Sequence, residues 1–174
     1  MNQLEKAKEI AEEAHSDQNY GDHPYTYHLE MVTEVLREFN ITSPIFLQAA
    51  WLHDIVEDTD WTRRDIEEEF NPFTAEVVWR VTDEEGKNRK ERKQKTYPKI
   101  KKSAPATAVK VADRIANVRA CLQNNPELLE MYKDEHSEFH RHLYKEHKLK
   151  EYFYPDSPIE NMWDELNELL DYEP

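Results

Sequence analysis

"AAWLHDIVEDT" spans residues 49–59; it starts as an apolar helical run and then sets one imidazole and three carboxylates into the six residues from His53 to Asp58. Just upstream, Ser43 stands in the N-cap position and Pro44 at the first helical position, so the spacing predicts a helix over 44–56. On that helix His53 falls four and eight residues after Ala49 and Ile45, so its imidazole points along the apolar face. A lone inward histidine is more often a satisfied core residue than a metal ligand. Asp54 shifts the balance: two ionisable groups at a helix C-terminus, where the dipole already favours positive charge, call for a compensating cation. A divalent metal supplies one, and Glu57 and Asp58 just beyond are candidates to orient or deprotonate an attacking water.

Outward from this stretch the chain keeps a helical period. It holds only two glycines, Gly21 and Gly86, and almost no sustained alternation, while apolar residues recur three and four apart, as in Leu4, Ala7, Ile10, Ala11, Ala14 and in Tyr27, Met31, Val35, Phe39. Further helices are expected over about 2–15, 25–39, 62–70 with a Thr62 cap, 74–82, 88–102, 105–123, 126–149 after Asn125 and Pro126, and 158–172 after Ser157 and Pro158. "TAEVVWRVT" (74–82) reads as a strand by β-branching alone; its all-helical setting favours helix. The expectation is an all-α helical bundle, one domain over 1–174, with a motif-bearing core at about 14–120 and packing helices over 126–172. The 38% hydrophobic and 11% aromatic content supports a folded core despite 34% charged residues. No apolar run approaches the roughly 20 residues that span a bilayer, and the start "MNQLEKAKEIAEEAH" lacks a signal-peptide core, so a cytoplasmic location is expected. The lone Cys121 excludes an internal disulfide and reads as a small buried side chain.

A metal needs more than two ligands. His28 also faces inward, with Val32, Val35 and Phe39 four, seven and eleven residues on. In "VKVADRIANVRA" Asp113 aligns with Val109 and Asn117 on an otherwise apolar helix, and a buried, unpaired aspartate wants a metal or an arginine. His28, His53, Asp54 and Asp113 then form a set of two imidazoles and two carboxylates from three helices, suited to Mn²⁺, Fe²⁺ or Zn²⁺ more than Ca²⁺. His136, His140, His142 and His147 offer a second cluster, but with Phe139 and Leu143 taking the core positions they are expected on a solvated flank.

The net charge of −14 argues against binding extended DNA or RNA. It is unevenly spread: "KNRKERKQKTYPKIKK" (87–102) carries nine Lys/Arg and one Glu, which leaves −22 for the remainder. A basic stripe on an acidic protein suits a small polyanion; a solvated helix face is the other reading.

The order H…HD…D on helices resembles the HD-domain metal phosphohydrolases, and most of all their RelA/SpoT-type branch. "AHSDQ" (14–18) is similar to that family's AH-x-x-Q, "HPYTYHLEMV" (23–32) to PYI-x-H-P-x-x-V, "AAWLHDIVEDT" to AALLHD-x-VEDT, and "KVADRIANVRA" to KLADRLHNMRT, with lesser matches at "DIEEEF" and "VTDEE". The resemblance implies metal ligation by His28, His53, Asp54 and Asp113, water activation by Glu57 and Asp58, and a nucleotide contact from Asn117. The implied reaction removes the 3′-pyrophosphate of guanosine tetra- or pentaphosphate (ppGpp or pppGpp), usually with Mn²⁺, although Fe²⁺, Zn²⁺ and Mg²⁺ are alternatives. Lys110 and Lys133 join the basic segment as candidates to meet phosphate. Fold and metal do not fix the substrate, so another nucleotide, such as the 2′-phosphate of NADPH or a 5′-nucleotide, and a non-catalytic nucleotide-binding regulator stay open. One departure stands out: where the family has Arg or Arg-Lys lining its base pocket, this chain has the shorter "NYGD" (19–22), and Tyr20 is left to stack on a purine or to pack on its own helix. Leu29 also replaces a family proline after His28.

Overall fold

The computed structural model describes residues 2–144 and 157–174. In chain order these form α1 (Gln3–Ala14), β1 (Asn19–Tyr20), β2 (His23–Pro24), α2 (Thr26–Glu38), α3 (Pro44–Leu52), α4 (Ile55–Asp58), α5 (Arg63–Glu69), α6 (Pro72–Val81), α7 (Arg89–Ile100), α8 (Ala104–Asn124), α9 (Pro126–Leu143) and α10 (Pro158–Leu169). Among the described residues the fold is all-α apart from one hairpin of two-residue strands, whose turn uses Gly21 at φ 60°. The expected end of the helix over 126–149, and His147 with it, lie outside the described residues.

Several helix starts follow their signals. Thr62 closes a full capping box with Asp65, and the Asn125 side chain accepts from the Leu128 N–H. The 74–82 segment is helical, begun at Pro72 by an Asn71 cap. Ser43 and Ser157 precede N1 prolines but make no side-chain cap bond.

The core is organised around α8, which packs against α2, α3, α6, α7, α9 and α10. Its position explains its composition: Val109, Val111, Ala112, Ile115, Ala116 and Val118 are buried on successive faces. Leu29, Leu36, Leu52 and Trp163 close around it, each contributing on the order of 2 kcal/mol by burial.

The predicted continuous helix over 44–56 is in fact two. α3 stops at Leu52, and Asp54, at φ −99° and ψ −4°, sits in the sparsely allowed bridge region, its carbonyl accepting from the Glu57 and Asp58 N–H groups to begin α4. That break turns His53, Asp54, Glu57 and Asp58 out of a single helical register.

A second correction concerns α9. His136 and His140 are not on a solvated flank: they are buried, 0% and 8% exposed, because α10 and Tyr172 cover that side of α9. His136 Nε2 pairs with Asn167 Oδ1 at 2.8 Å, and His140 stacks on Tyr144 and meets Trp163 edge-on.

Candidate active site

Three elements that meet at α8 deliver the charged groups: α2 brings His28, the α3–α4 break brings His53 and Asp54, and α8 brings Asp113. One ligand atom each from His28, His53 and Asp113 lies within 4.8 Å of the others. His28 Nε2 is 3.2 Å and His53 Nε2 3.7 Å from Asp113 Oδ1. Asp54 is not in that tight group but stands beside it, its Oδ2 2.9 Å from His53 Nε2 and 3.8 Å from His28 Nε2.

The surrounding bonds fix these groups. His53 Nδ1 lies 2.8 Å from the Ala50 carbonyl, which only accepts, so the proton is on Nδ1 and Nε2 faces the carboxylates. Asp54 Oδ2 accepts from the Tyr25 hydroxyl at 2.5 Å. Asp113 is held on both oxygens, by Asn117 Nδ2 at 2.7 Å on Oδ1 and by Lys110 Nζ at 2.8 Å on Oδ2.

This donor set fits a divalent cation. The buried carboxylate of Asp113, the partly buried one of Asp54 and two buried imidazoles converge, and His53 Nε2, fully buried, finds no directed hydrogen bond despite the nearby Asp54 oxygen. The electrostatics agree. Burial opposes charge on His53, yet Asp54 and Asp113 outweigh it and hold the imidazole well above its usual range. Asp54 and Asp113 move the other way: burial would raise them, but His53 beside Asp54, and Lys110 and His28 beside Asp113, keep both below the ordinary carboxylate value. The site therefore holds its two aspartates charged, as metal ligands must be.

Glu57 and Asp58 flank this centre and differ from it. Burial raises both carboxyls, Lys110 opposes the shift at Glu57, and the charge of Asp54 adds to it at both. Glu57 Oε1 accepts from the Asp83 N–H at 2.6 Å, which aims the side chain. A carboxylate pushed toward neutrality is a better general base.

The centre opens into a cavity of about 710 Å³ whose wall carries five cations, Arg89, Arg92 and Lys93 from α7 and Lys110 and Arg114 from α8, beside the carboxylates Asp83, Glu84 and Glu85. The basic segment thus divides. Lys95 and Lys99 pair with Glu91 and Glu84, while Arg89 and Lys93 line the cavity and are also held by Glu135 and Asp83. Burial and the neighbouring Lys110 bring Lys93 down to about 8, a strain that an anion would relieve. A second cavity of about 620 Å³ adjoins the first, and Tyr20 and Asn117 line both.

The expected substrate contacts are only partly assembled. Lys110, Asn117 and Tyr20 line the catalytic cavity, but Lys133 does not; its amine pairs with Asp171 at 2.9 Å. Tyr20 places its ring on His28 and its hydroxyl on Asn117. Tyr25 and Arg114, lining the same cavity, escaped the sequence reading. Tyr25 carried no signal beyond its place in "PYTYH", and Arg114 was hidden by its adjacency to Asp113.

A helical bundle that gathers His, His and Asp from three helices beside a cavity lined with cations defines a metal-dependent hydrolase of the HD type. A family model described as the HD domain matches residues 7–143, and the chain belongs to that family of hydrolases. It is 34% identical over 156 residues to guanosine-3′,5′-bis(diphosphate) 3′-pyrophosphohydrolase MESH1 of Homo sapiens, covering 87% of this chain and 79% of that protein. The Mus musculus counterpart is 38% identical over 122 residues, 67% of this chain and 68% of the relative. The solved structure of a metazoan orthologue of SpoT that hydrolyses ppGpp and plays a role in starvation responses matches with a TM-score of 0.74 at 27% identity, over 97% of this chain and 95% of that one.

Proposed function

We propose that this protein is a metal-dependent nucleotide phosphohydrolase that removes the 3′-pyrophosphate of ppGpp and pppGpp, releasing GDP or GTP and pyrophosphate. The single observation that carries the reading is the His28–His53–Asp113 cluster opening onto a cavity whose lining includes five cations. The names of its relatives supply the nucleotide. In this reading His28, His53, Asp54 and Asp113 hold one divalent ion, with Mn²⁺ the expected native metal among Fe²⁺, Zn²⁺ and Mg²⁺. When bound, such an ion supplies a Lewis acid and brings the pKa of water toward neutrality.

The chain's own residues do the rest. Glu57, aimed by the Asp83 N–H, takes the proton of the attacking water, and Asp58 shares or orients that proton from the next position. As the water oxygen bonds to phosphorus, the bond from phosphorus to the ribose 3′ oxygen breaks, and that oxygen leaves as a hydroxyl by taking up a proton from solvent, while Glu57 returns the proton it accepted to solvent. Lys93, Lys110 and Arg92 offset the charge spread over the pyrophosphate oxygens. Asn117 and Tyr20, on the border of the second cavity, meet the nucleoside end.

The test is a panel of ppGpp, pppGpp, NADPH and 5′-nucleotides with Mn²⁺, products resolved by ion-exchange chromatography. Pyrophosphate and GDP from ppGpp are expected. Orthophosphate from another nucleotide, with ppGpp untouched, would move the substrate assignment, and tight binding without turnover would leave a regulator.

A further inference from the structure

The two histidines of the centre are held differently. His53 is oriented by a hydrogen bond from Nδ1 to the Ala50 carbonyl, the usual way a ligating imidazole is fixed through its other nitrogen. His28 has no such bond: its Nδ1 is buried and without a partner. What holds its ring is aromatic packing. Tyr20 stacks on it face to face, centroids 4.9 Å apart and planes 16° from parallel, while Tyr25 and His53 meet it only at edges.

Tyr20 reaches the opposite ligand as well. Its hydroxyl donates to Asn117 Oδ1 at 2.9 Å, which leaves Asn117 Nδ2 to donate to Asp113 Oδ1 at 2.7 Å and to the Asp113 carbonyl at 3.0 Å. With the amide reversed, its oxygen would face a carboxylate oxygen and the hydroxyl would lose its acceptor. The Asp113 oxygens, which only accept, set the amide orientation, and the tyrosine O–H braces it by donating to Asn117 Oδ1, so that Nδ2 stays on Asp113 Oδ1, the oxygen nearest both imidazoles. Tyr20 itself is presented by the β1–β2 hairpin, where it pairs with His23 across the Gly21 turn.

We propose that Tyr20 is a positioning residue of the metal centre, orienting His28 through its ring and Asp113 through Asn117. This rests on the metal-centre reading above and goes beyond a substrate contact: the side chain that stands where the resembling family has arginine does a ligand-orienting job.

The experiment compares the full chain with Tyr20→Phe, which keeps the stack and loses the donor, and Tyr20→Ala, which loses both. Mn²⁺ affinity is measured calorimetrically, and the visible band of bound Co²⁺ reports ligand geometry without any turnover. Tyr20→Phe raises the Mn²⁺ Kd about threefold and Tyr20→Ala about 10- to 100-fold, the range for removing an outer-shell partner. The Co²⁺ band shifts in Tyr20→Ala and returns most of the way in Tyr20→Phe. Turnover lost at limiting Mn²⁺ is restored by excess Mn²⁺, whereas loss of a purine contact raises KM at every metal concentration. If Tyr20→Ala does not fold, the threefold change in Tyr20→Phe decides alone. Wild-type Kd and band in the variants overturn the inference and leave the metal centre standing; a wild-type protein that takes up no Mn²⁺ overturns the metal centre first, and the inference with it.

Discussion

Among the described residues two buried histidine pairs stand apart, one where α2 meets the α3–α4 break and one along α9 beneath α10, and His53 of the first and His136 of the second carry opposite charge tendencies. His53, 1% exposed, is surrounded by Asp54 and Asp113 and held toward its protonated form. His136, 0% exposed, has an amide and aromatic rings for neighbours, and burial brings it down to about 4 despite the Asn167 bond. Burial alone disfavours the imidazolium in both. What separates the two settings is the carboxylates within reach of the first, and among the described residues only the first pair belongs to a metal-capable cluster.

The sharpest way to break the contrast is to remove one histidine from each pair. His53→Ala or Asp54→Ala is expected to abolish Mn²⁺ uptake and ppGpp turnover together, while His136→Ala costs stability and leaves the Mn²⁺ stoichiometry at wild type. Calorimetric titration with Mn²⁺ checks both; uptake surviving in His53→Ala would remove that residue from the ligand set.

A smaller effect separates ligands from base. Glu57→Gln should keep the wild-type Mn²⁺ Kd and lower kcat about 10²- to 10⁴-fold, as loss of a positioned base does. Equal losses of metal affinity and kcat would instead make Glu57 part of the ligand shell.

The mildest effect lies in the second pair and in its pH dependence. With its pKa lowered from 6.5 to about 4, His136 resists a proton that the unfolded chain accepts. Its contribution is therefore fully present above pH 6.5, is lost as pH falls through that value, and levels off near 4. In His136→Gln the fall of Tm across this window becomes shallower by a few degrees, of the size expected from about 1 kcal/mol. Parallel Tm curves for the two proteins would show that another group carries the acid limb.

The candidate metal cluster is legible in the sequence because a charged residue on the apolar face of a helix is conspicuous: His28, His53 and Asp113 all break an inward stripe. What stayed hidden depended on other elements. No glycine or proline marks the end of α3, so nothing in the local sequence announces the break at Asp54, which falls where α3 packs against α2 and α8. The side of α9 that bears His136 looked solvated because amphipathicity reports a helix's own pattern, not the later helix laid across it. Lys133 sits in the first half of that same helix, and only the fold shows that it reaches Asp171 and not the cavity. Tyr20 reads in the sequence as a purine stacker or as an aromatic packed on its own helix, and its partners in the fold, His28 and Asn117, lie 8 and 97 residues away.

The cationic wall has a consequence for how ionic strength acts on the protein. Arg89 and Lys93 face the cavity with Glu135 and Asp83 already against them, at 2.6 and 2.7 Å. A polyphosphate entering there displaces carboxylates that are tethered to the chain, where on a bare basic surface it would expel salt ions into bulk. Counterions released to solution are what make log K fall steeply with log salt concentration. Here the wall acts as an internal ion exchanger, so the slope of log KM against log salt should be well below the number of cations lining the cavity, and replacing Asp83 with Asn should steepen it.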